Sequence, residues 1–556
     1  MSSTIGGLPL SESDYHAHST LVEKNIGTGR NSEDEVSSSK GSLEPKAQSG
    51  IFGASANLAN TVIGASVVGV PYALRESGII GGLSMLLLVS LLTDRSLKML
   101  VGLASYHPKL RSKDICSYED LASYPFGKIG ERFIMFFMIV SAYGSMLAYL
   151  LIIKDAIPSI VAVNDKVSII LILIATSSTI MLPLSMQRDM ASLSITSIIS
   201  IIAAIIIIAF ITINAPVVDS VSNEGGFRKV IREDGFNPTL FIGLGILSDA
   251  MVLQHAAFIV SGSLENKTMK RWSTVTSLSI GASALLCAIL GSFGYLAFLD
   301  DTEGDVLNNF DDSLMSKIAN TLLVLIMFFT YPMESFVLRH VLVELVHDGD
   351  MECSMCGPFN RRQCWSLACY VIVLLPAMVL DDVGVVLSMT GCIAGGGIAY
   401  CAPGLIFLGT NAEAFLSHCQ NKLLTKQVCE EIICSVSIDD LSVHGEQDMD
   451  VTDGIISSIK ETPKPCWWYL LGYPIWAKIA MVGKTNMEVK SDDDKVVYEN
   501  SVFDENTQLP SERDYGIAIF FICFGVLSAV AGVASNVYVL LHDEETIVYY
   551  GDTYYE

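Results

Sequence analysis

Apolar residues are gathered into long runs separated by short polar stretches, and few segments alternate with the two-residue period of a half-buried strand. A helix climbs 1.5 Å per residue, so about 20 apolar residues cross a hydrocarbon core about 30 Å thick. Windows of that length fall at 51–74, 79–103, 131–154, 166–185, 190–214, 239–262, 274–299, 316–340, 363–380, 383–408 and 515–541. They predict an all-α polytopic membrane protein with about 11 transmembrane helices, referred to below as spans 1 to 11. The segment 466–478 is rich in Trp and Tyr and broken by Pro474. It is expected to lie in the membrane interface rather than to cross the bilayer.

Two spans carry residues that a lipid-facing helix does not need. Span 1 contains Asn57, Asn60, Gly64, Ala65, Ser66, Gly69 and Pro71. Backbone that leaves the helix at membrane depth is tolerated only where it is buried in protein or lines a cavity. Gly and Pro also serve close packing in membrane helices, so the stretch alone admits both readings. Span 6 mixes Gly243 and Gly245 with Ser248, Asp249, Gln254 and His255, and holds the corresponding place in a second set of five. Two interrupted spans at matching positions predict a five-plus-five inverted repeat with interrupted helices 1 and 6.

Composition agrees: the 556 residues are 51% hydrophobic. The formal charge of −25 argues against a nucleic-acid partner, and residues 411–512 carry −10 of it as 18 acids against 8 lysines. The expected organisation is a disordered cytoplasmic tail at 1–50, a transporter core of ten helices at 51–408, a long acidic cytoplasmic loop at 409–514, helix 11 at 515–541 and a short non-cytoplasmic tail at 542–556. Lys and Arg in short loops number ten on the N-terminal side against seven opposite, which puts the N-terminus in the cytoplasm. The sequon Asn266-Lys-Thr268 then falls on the cytoplasmic side and is expected to be unused. Cys353-Ser-Met-Cys356 has no second pair at zinc-finger spacing, and no metal beyond a coupling cation is expected.

Ionisable groups inside a span are costly unless paired or hydrated, so each is a functional candidate. Asp94, Arg95 and Lys98 in span 2 are close enough to pair structurally. Asp249 and His255 in span 6 could carry a proton, or His255 could be satisfied by a backbone carbonyl. In span 8, Pro332 frees a carbonyl near the hydroxyl of Thr330, which reads equally as a proline kink or as part of a shell for a monovalent cation. No phosphate-cradling loop, zinc-protease helix or serine-hydrolase elbow is present, so enzymatic chemistry and an organic cofactor are not expected.

The order of motifs resembles the amino acid/auxin permease family, and most of all its sodium-coupled neutral amino acid transporter branch (solute carrier family 38-like). The matches are Asn57-x-x-Asn60-x-x-x-Gly64 through Pro71-Tyr72, Thr93-Asp94-x-Ser96-Leu97, Leu182-Pro183-Leu184-Ser185, Gly262-Ser263-Leu264-Glu265 and Thr330-Tyr331-Pro332-Met333-Glu334 with Arg339. The resemblance implies eleven spans, an inverted repeat, and a neutral amino acid held between spans 1 and 6. Gly64, Ala65, Ser66 and His255 are then the candidate substrate-binding residues, and Asn60 with Thr330 the cation site. Two departures bear on substrate and ion. The family's Gly-Ser-Gly is Gly64-Ala65-Ser66, and its Cys-His-His-Asn is Leu253-Gln254-His255-Ala256, with Asp249 in place of an aromatic. The implied activity is symport with Na+, at the plasma membrane or at a vacuolar or lysosomal membrane. The alternatives are proton coupling through Asp249 and His255 at a vacuolar or lysosomal membrane, or an amino acid sensor signalling through its N-terminal tail.

Overall fold

The computed structural model describes residues 49–419 and 510–551, apart from 63–65, 112, 114, 116, 188–193, 228, 231–236, 238, 348, 352–353 and 357–358. The tail expected at 1–50 is therefore outside the described residues up to 48, as are the interfacial segment 466–478 and residues 552–556.

Each of the eleven apolar windows is occupied by helix. Span 1 comprises α1 (Ile51–Val62) and α2 (Ser66–Ser77), and α3 (Ile79–Tyr106) and α4 (Tyr118–Val161) are spans 2 and 3. α5 (Lys166–Ser185) and α6 (Ser194–Asn214) follow, with α7 (Val217–Asn223) bent by 45° from α6. Span 6 is α8 (Leu240–Ala250) and α9 (Gln254–Ser263), and then come α10 (Met269–Phe298), α11 (Leu314–His347) and α12 (Arg361–Ala377). α13 (Val383–Thr410) and α14 (Glu512–Gly551) complete the set. By length and apolarity, seven helices among the described residues can cross a membrane, or eight if α6 with α7 is one span. A two-stranded antiparallel ribbon, β1 (Ser354–Cys356) and β2 (Phe359–Asn360), precedes α12.

Local signals explain where helices begin. The first amide groups of a helix have no intrahelical acceptor, and short polar side chains supply one. Ser117 accepts from Asp120 N–H at 3.1 Å to open α4, and Asp382 accepts from Val385 N–H at 3.0 Å to open α13. Asn360 and Gln363 close a capping box on α12. α4 starts well before the window at 131, because a first helical segment carrying Glu119 and Asp120 joins the apolar part across a kink at Gly127, whose φ is 59°. The structure departs from a regular helix in span 10, where Gly391–Cys401 widens into π turns around three consecutive glycines.

Packing sets the frame of the site. α2 lies against α8 and α10, α1 against α10, α4 along α11, and α14 against the π stretch of α13. Buried polar groups act as ties. The fully buried Arg339 of α11 donates to Ser185 O at 2.5 Å and to Ser366 Oγ at 2.8 Å, linking spans 8, 4 and 9. Lys154, the last residue of the span 3 window, is buried. It caps the C-terminus of α12 through Ala377 O at 3.2 Å and Leu380 O, and pairs with Asp381 at 2.9 Å. The expected pairing in span 2 is present, with Lys98 on Asp94 at 2.5 Å and Arg95 on Asp514 of α14 at 2.6 Å.

Candidate functional site

Span 6 is interrupted at Met251–Leu253, three buried residues between α8 and α9. The break lies past the glycines that suggested it. Gly243 and Gly245 sit inside α8, where they allow close packing; a Cβ on Gly245 would stand 2.5 Å from Cys392 Sγ and from Ser388 O. Freed backbone groups at the break are instead taken up by side chains, as a dry interior requires. Thr93 of α3 donates to Met251 O at 3.3 Å. Gln254 accepts from Leu253 N–H at 3.0 Å, and its amide nitrogen donates to Ser96 at 3.3 Å. Thr93, Ser96 and Gln254 thus hold the irregular backbone. The sequence showed Gln254 among the polar residues of span 6 and Thr93 with Ser96 in a motif of span 2, but gave none of them this role.

The cation candidates lie on separate helices. Asn60, near the end of α1, is 5% exposed, and its Oδ1 has no hydrogen-bond partner among the described residues. α1 is fixed to α10 by Ser279 donating to Ser55 O at 2.9 Å. Gly64 and Ala65 are outside the described residues, and Ser66 opens α2. Thr330 is buried on α11, which runs unbroken through Pro332, and its hydroxyl donates to Ile326 O at 2.9 Å. Among the described residues no hydrogen bond joins Asn60 to Thr330. His255 is partly buried in the first turn of α9.

Around Thr330 the structure assembles a polar group that the sequence reading had not connected. Tyr149 of α4 meets the Thr330 hydroxyl and lies within electrostatic range of Glu334 and Asp249. Glu334 and Asp249 also act on each other. Two carboxyl groups, a phenol and a threonine from spans 3, 6 and 8 therefore share one region of the core, directly before the break at Met251–Leu253.

A second polar feature sits at the end of the bundle where α2, α4 and α13 meet the 300–309 loop. A cavity of about 470 Å³ opens there, lined by Tyr72, Arg75, Asp155, Asp300, Asp301, Glu303, Asp305, Asp381 and Asp382 among others. Gly304 packs its backbone against α13; a Cβ there would lie 2.7 Å from Gly384 N. The sequence showed the acids of this loop but not that they surround a cavity.

Comparison with known proteins follows the same lines. The family model described as "Transmembrane amino acid transporter protein" matches residues 47–438. "Vacuolar amino acid transporter 2" of Saccharomyces cerevisiae is 29% identical over 351 residues, which cover 61% of this chain and 70% of that protein. "Putative sodium-coupled neutral amino acid transporter 11" of Mus musculus is 27% identical over 374 residues, covering 64% and 77%. Among solved structures, Mhp1, a nucleobase-cation-symport-1 family transporter in a closed conformation, shares 12% identity with a TM-score of 0.43, covering 65% and 78%. The family match takes in spans 1 to 10, with both segments of span 6 and the Thr330 region inside it, so the chain belongs to the transmembrane amino acid transporter protein family.

Proposed function

We propose that the protein moves a neutral amino acid across a membrane by symport with a monovalent cation, sodium. The observation that carries this reading is the buried break at Met251–Leu253, held open by Thr93, Ser96 and Gln254 instead of being closed into helix. Irregular backbone at membrane depth is where secondary transporters bind their cargo. Two relatives support the substrate class, since their names describe a vacuolar amino acid transporter and a sodium-coupled neutral amino acid transporter.

In this mechanism the peptide N–H groups of Gly64, Ala65 and Ser66 receive the substrate carboxylate, and the positive end of the dipole of α2, which Ser66 opens, helps to hold it. Backbone carbonyls at the span 6 break accept from the substrate ammonium, and His255 flanks it. The cation sits near Asn60, whose Oδ1 lacks a partner, and reaches Thr330 when the two spans close on substrate. One charge crossing about 60 mV supplies about 1.4 kcal/mol, or about tenfold accumulation before any ion gradient is added. The N-terminus is cytoplasmic in this reading, with five-plus-five repeats exchanging access between the two sides. Uptake of labelled neutral amino acids into proteoliposomes, with sodium replaced by choline, tests it. Uptake that needs sodium supports the proposal, and no uptake under a sodium or a proton gradient refutes transport.

One observation favours a second reading, proton coupling at a vacuolar or lysosomal membrane. Asp249 and Glu334 lie in one region of the core with Tyr149 and Thr330, and carboxyl groups inside a span are candidates for a proton relay. Sodium-independent, pH-driven flux that is lost in Asp249→Asn distinguishes this coupling from the first.

A further inference from the structure

We propose that the acidic cavity beside the 300–309 loop binds a protonated amine, the cationic group of an amino acid, with Asp305 Oδ2 as its principal acceptor. Asp305 is 1% exposed, and its Oδ1 accepts from Leu307 N–H at 3.0 Å. Its Oδ2 has no hydrogen-bond partner among the described residues, although Asp305 lines the cavity. A buried carboxylate oxygen with no donor is expensive, and an ammonium group arriving from the cavity supplies both the donor and the countercharge.

The surroundings select the sign of the ligand. Seven carboxylates line the cavity, and Arg75 is the one base lining it among the described residues. That guanidinium is already engaged with Thr302 O at 3.3 Å, with Glu76 at 3.9 Å and with the face of Tyr72. Lys154 pairs with Asp381 and also acts on Asp155, and Lys166 pairs with the same Asp381. Asp155 of α4 lines the same cavity and Asp305 acts on it, while Glu303 acts on Asp305 from its own loop. Burial, the largest influence, pushes the Asp305 carboxyl up to about 7, with Glu303 adding to the rise and the Leu307 N–H opposing it. Such a group carries its charge most readily when a cation is beside it.

Size and dispersion select the kind of cation. About 470 Å³ accommodates an amino acid with its side chain. Among the described residues no three His, Cys, Asp or Glu side chains converge closely enough to hold a metal ion, whereas a metal such as Ca2+ needs six to eight oxygens at 2.3–2.6 Å. Dispersed carboxylates around a roomy cavity fit the three divergent N–H donors of an ammonium group better.

The occupant's being an amino acid rests on family membership, but the binding test is independent of transport. Purified full-length protein in detergent at pH 8 is titrated with methylammonium chloride, with tetramethylammonium, which has no N–H, and separately with CaCl2, and binding is read as a thermal shift. Methylammonium is expected to stabilise the protein, and tetramethylammonium to do so at least fivefold less potently. Asp305→Asn, which keeps the Oδ1 acceptor for Leu307, is expected to raise the half-maximal methylammonium concentration about tenfold or more. Asp311→Asn, at an exposed position outside the cavity lining, should change it less than twofold. Wild-type affinity should also weaken about tenfold between pH 8 and pH 5.5, a measurement that stands if Asp305→Asn fails to fold. The proposal is overturned by no methylammonium response, by an equal response in Asp305→Asn, by an affinity unchanged with pH, or by a Ca2+ response that depends on Asp305 while methylammonium is silent.

Discussion

Replacing Thr93 with valine tests the break in span 6 most directly. Valine matches the shape of threonine and removes only the hydroxyl, so the change leaves no cavity at a position that is 0% exposed. What it removes is the donor to Met251 O at 3.3 Å. A buried carbonyl left without a donor costs about 1–3 kcal/mol, and about 1.4 kcal/mol is a factor of ten in a conformational equilibrium. Thr93→Val is therefore expected to lower the melting temperature of the detergent-purified protein and to weaken substrate affinity roughly five- to a hundredfold, because the break is populated less often in its binding arrangement. Thr93→Ser keeps the hydroxyl and loses a methyl, so it should melt lower than wild type yet retain affinity within about threefold. Thermal unfolding followed by substrate titration reads both quantities. A Thr93→Val protein that melts at or above wild type and binds substrate equally well refutes the idea that this hydroxyl holds the break.

Arg339→Met is expected to cost about 2–3 kcal/mol and to reduce the yield of monodisperse protein, since Ser185 O and Ser366 lose a charged donor at 2.5 and 2.8 Å; wild-type elution and yield would contradict it. Gly245→Ala forces a methyl to within 2.5 Å of Cys392 Sγ and Ser388 O, and overpacking of this kind costs about 1–3 kcal/mol, measurable as a lower melting temperature that Cys392→Ala partly restores. The Asp305 carboxyl stands at about 7 in the folded protein against an ordinary 3.8, so the folded state holds the extra proton and loses stability as pH rises from about 4 to 7. In the absence of an amine, Asp305→Asn should therefore stabilise the protein by up to about 4 kcal/mol at pH 8 and by less than half of that at pH 5, seen as a melting-temperature gain that shrinks on acidification. A gain of equal size at both pH values would be inconsistent with a buried, uncompensated carboxyl.

The chain on its own was sufficient for the all-helical class and for where along it helices form. Hydrocarbon thickness fixes the length of an apolar run, and internal satisfaction of backbone groups leaves helix as the form such runs take. All eleven windows accordingly became helix, and Asp94 with Lys98 formed the expected pair. The sequence also pointed to span 6 as the interrupted helix. Its glycines, however, proved to be contacts with α13 and the end of α2, because a missing Cβ serves close approach as readily as a turn.

Tertiary packing decided everything that depends on which helices are neighbours. Thr93 could be seen as a hydroxyl in span 2, but only the folding of α3 against the end of α8 makes it the donor to Met251 O, 158 residues away. Glu334 and Asp249 belong to windows that nothing local connects, and Tyr149 joins them because α4 lies along α11. Lys154 merely ends an apolar window until packing brings the end of α12 to it. The same holds for Asp305: composition placed it in an acidic loop, and only the seating of Gly304 against Gly384 turned that loop into the wall of a cavity with a buried, unpartnered oxygen. Periodicity along a chain records how each segment meets lipid or water. Partners across the bundle are set by packing between segments distant in sequence, and they carry no signal within any one of them.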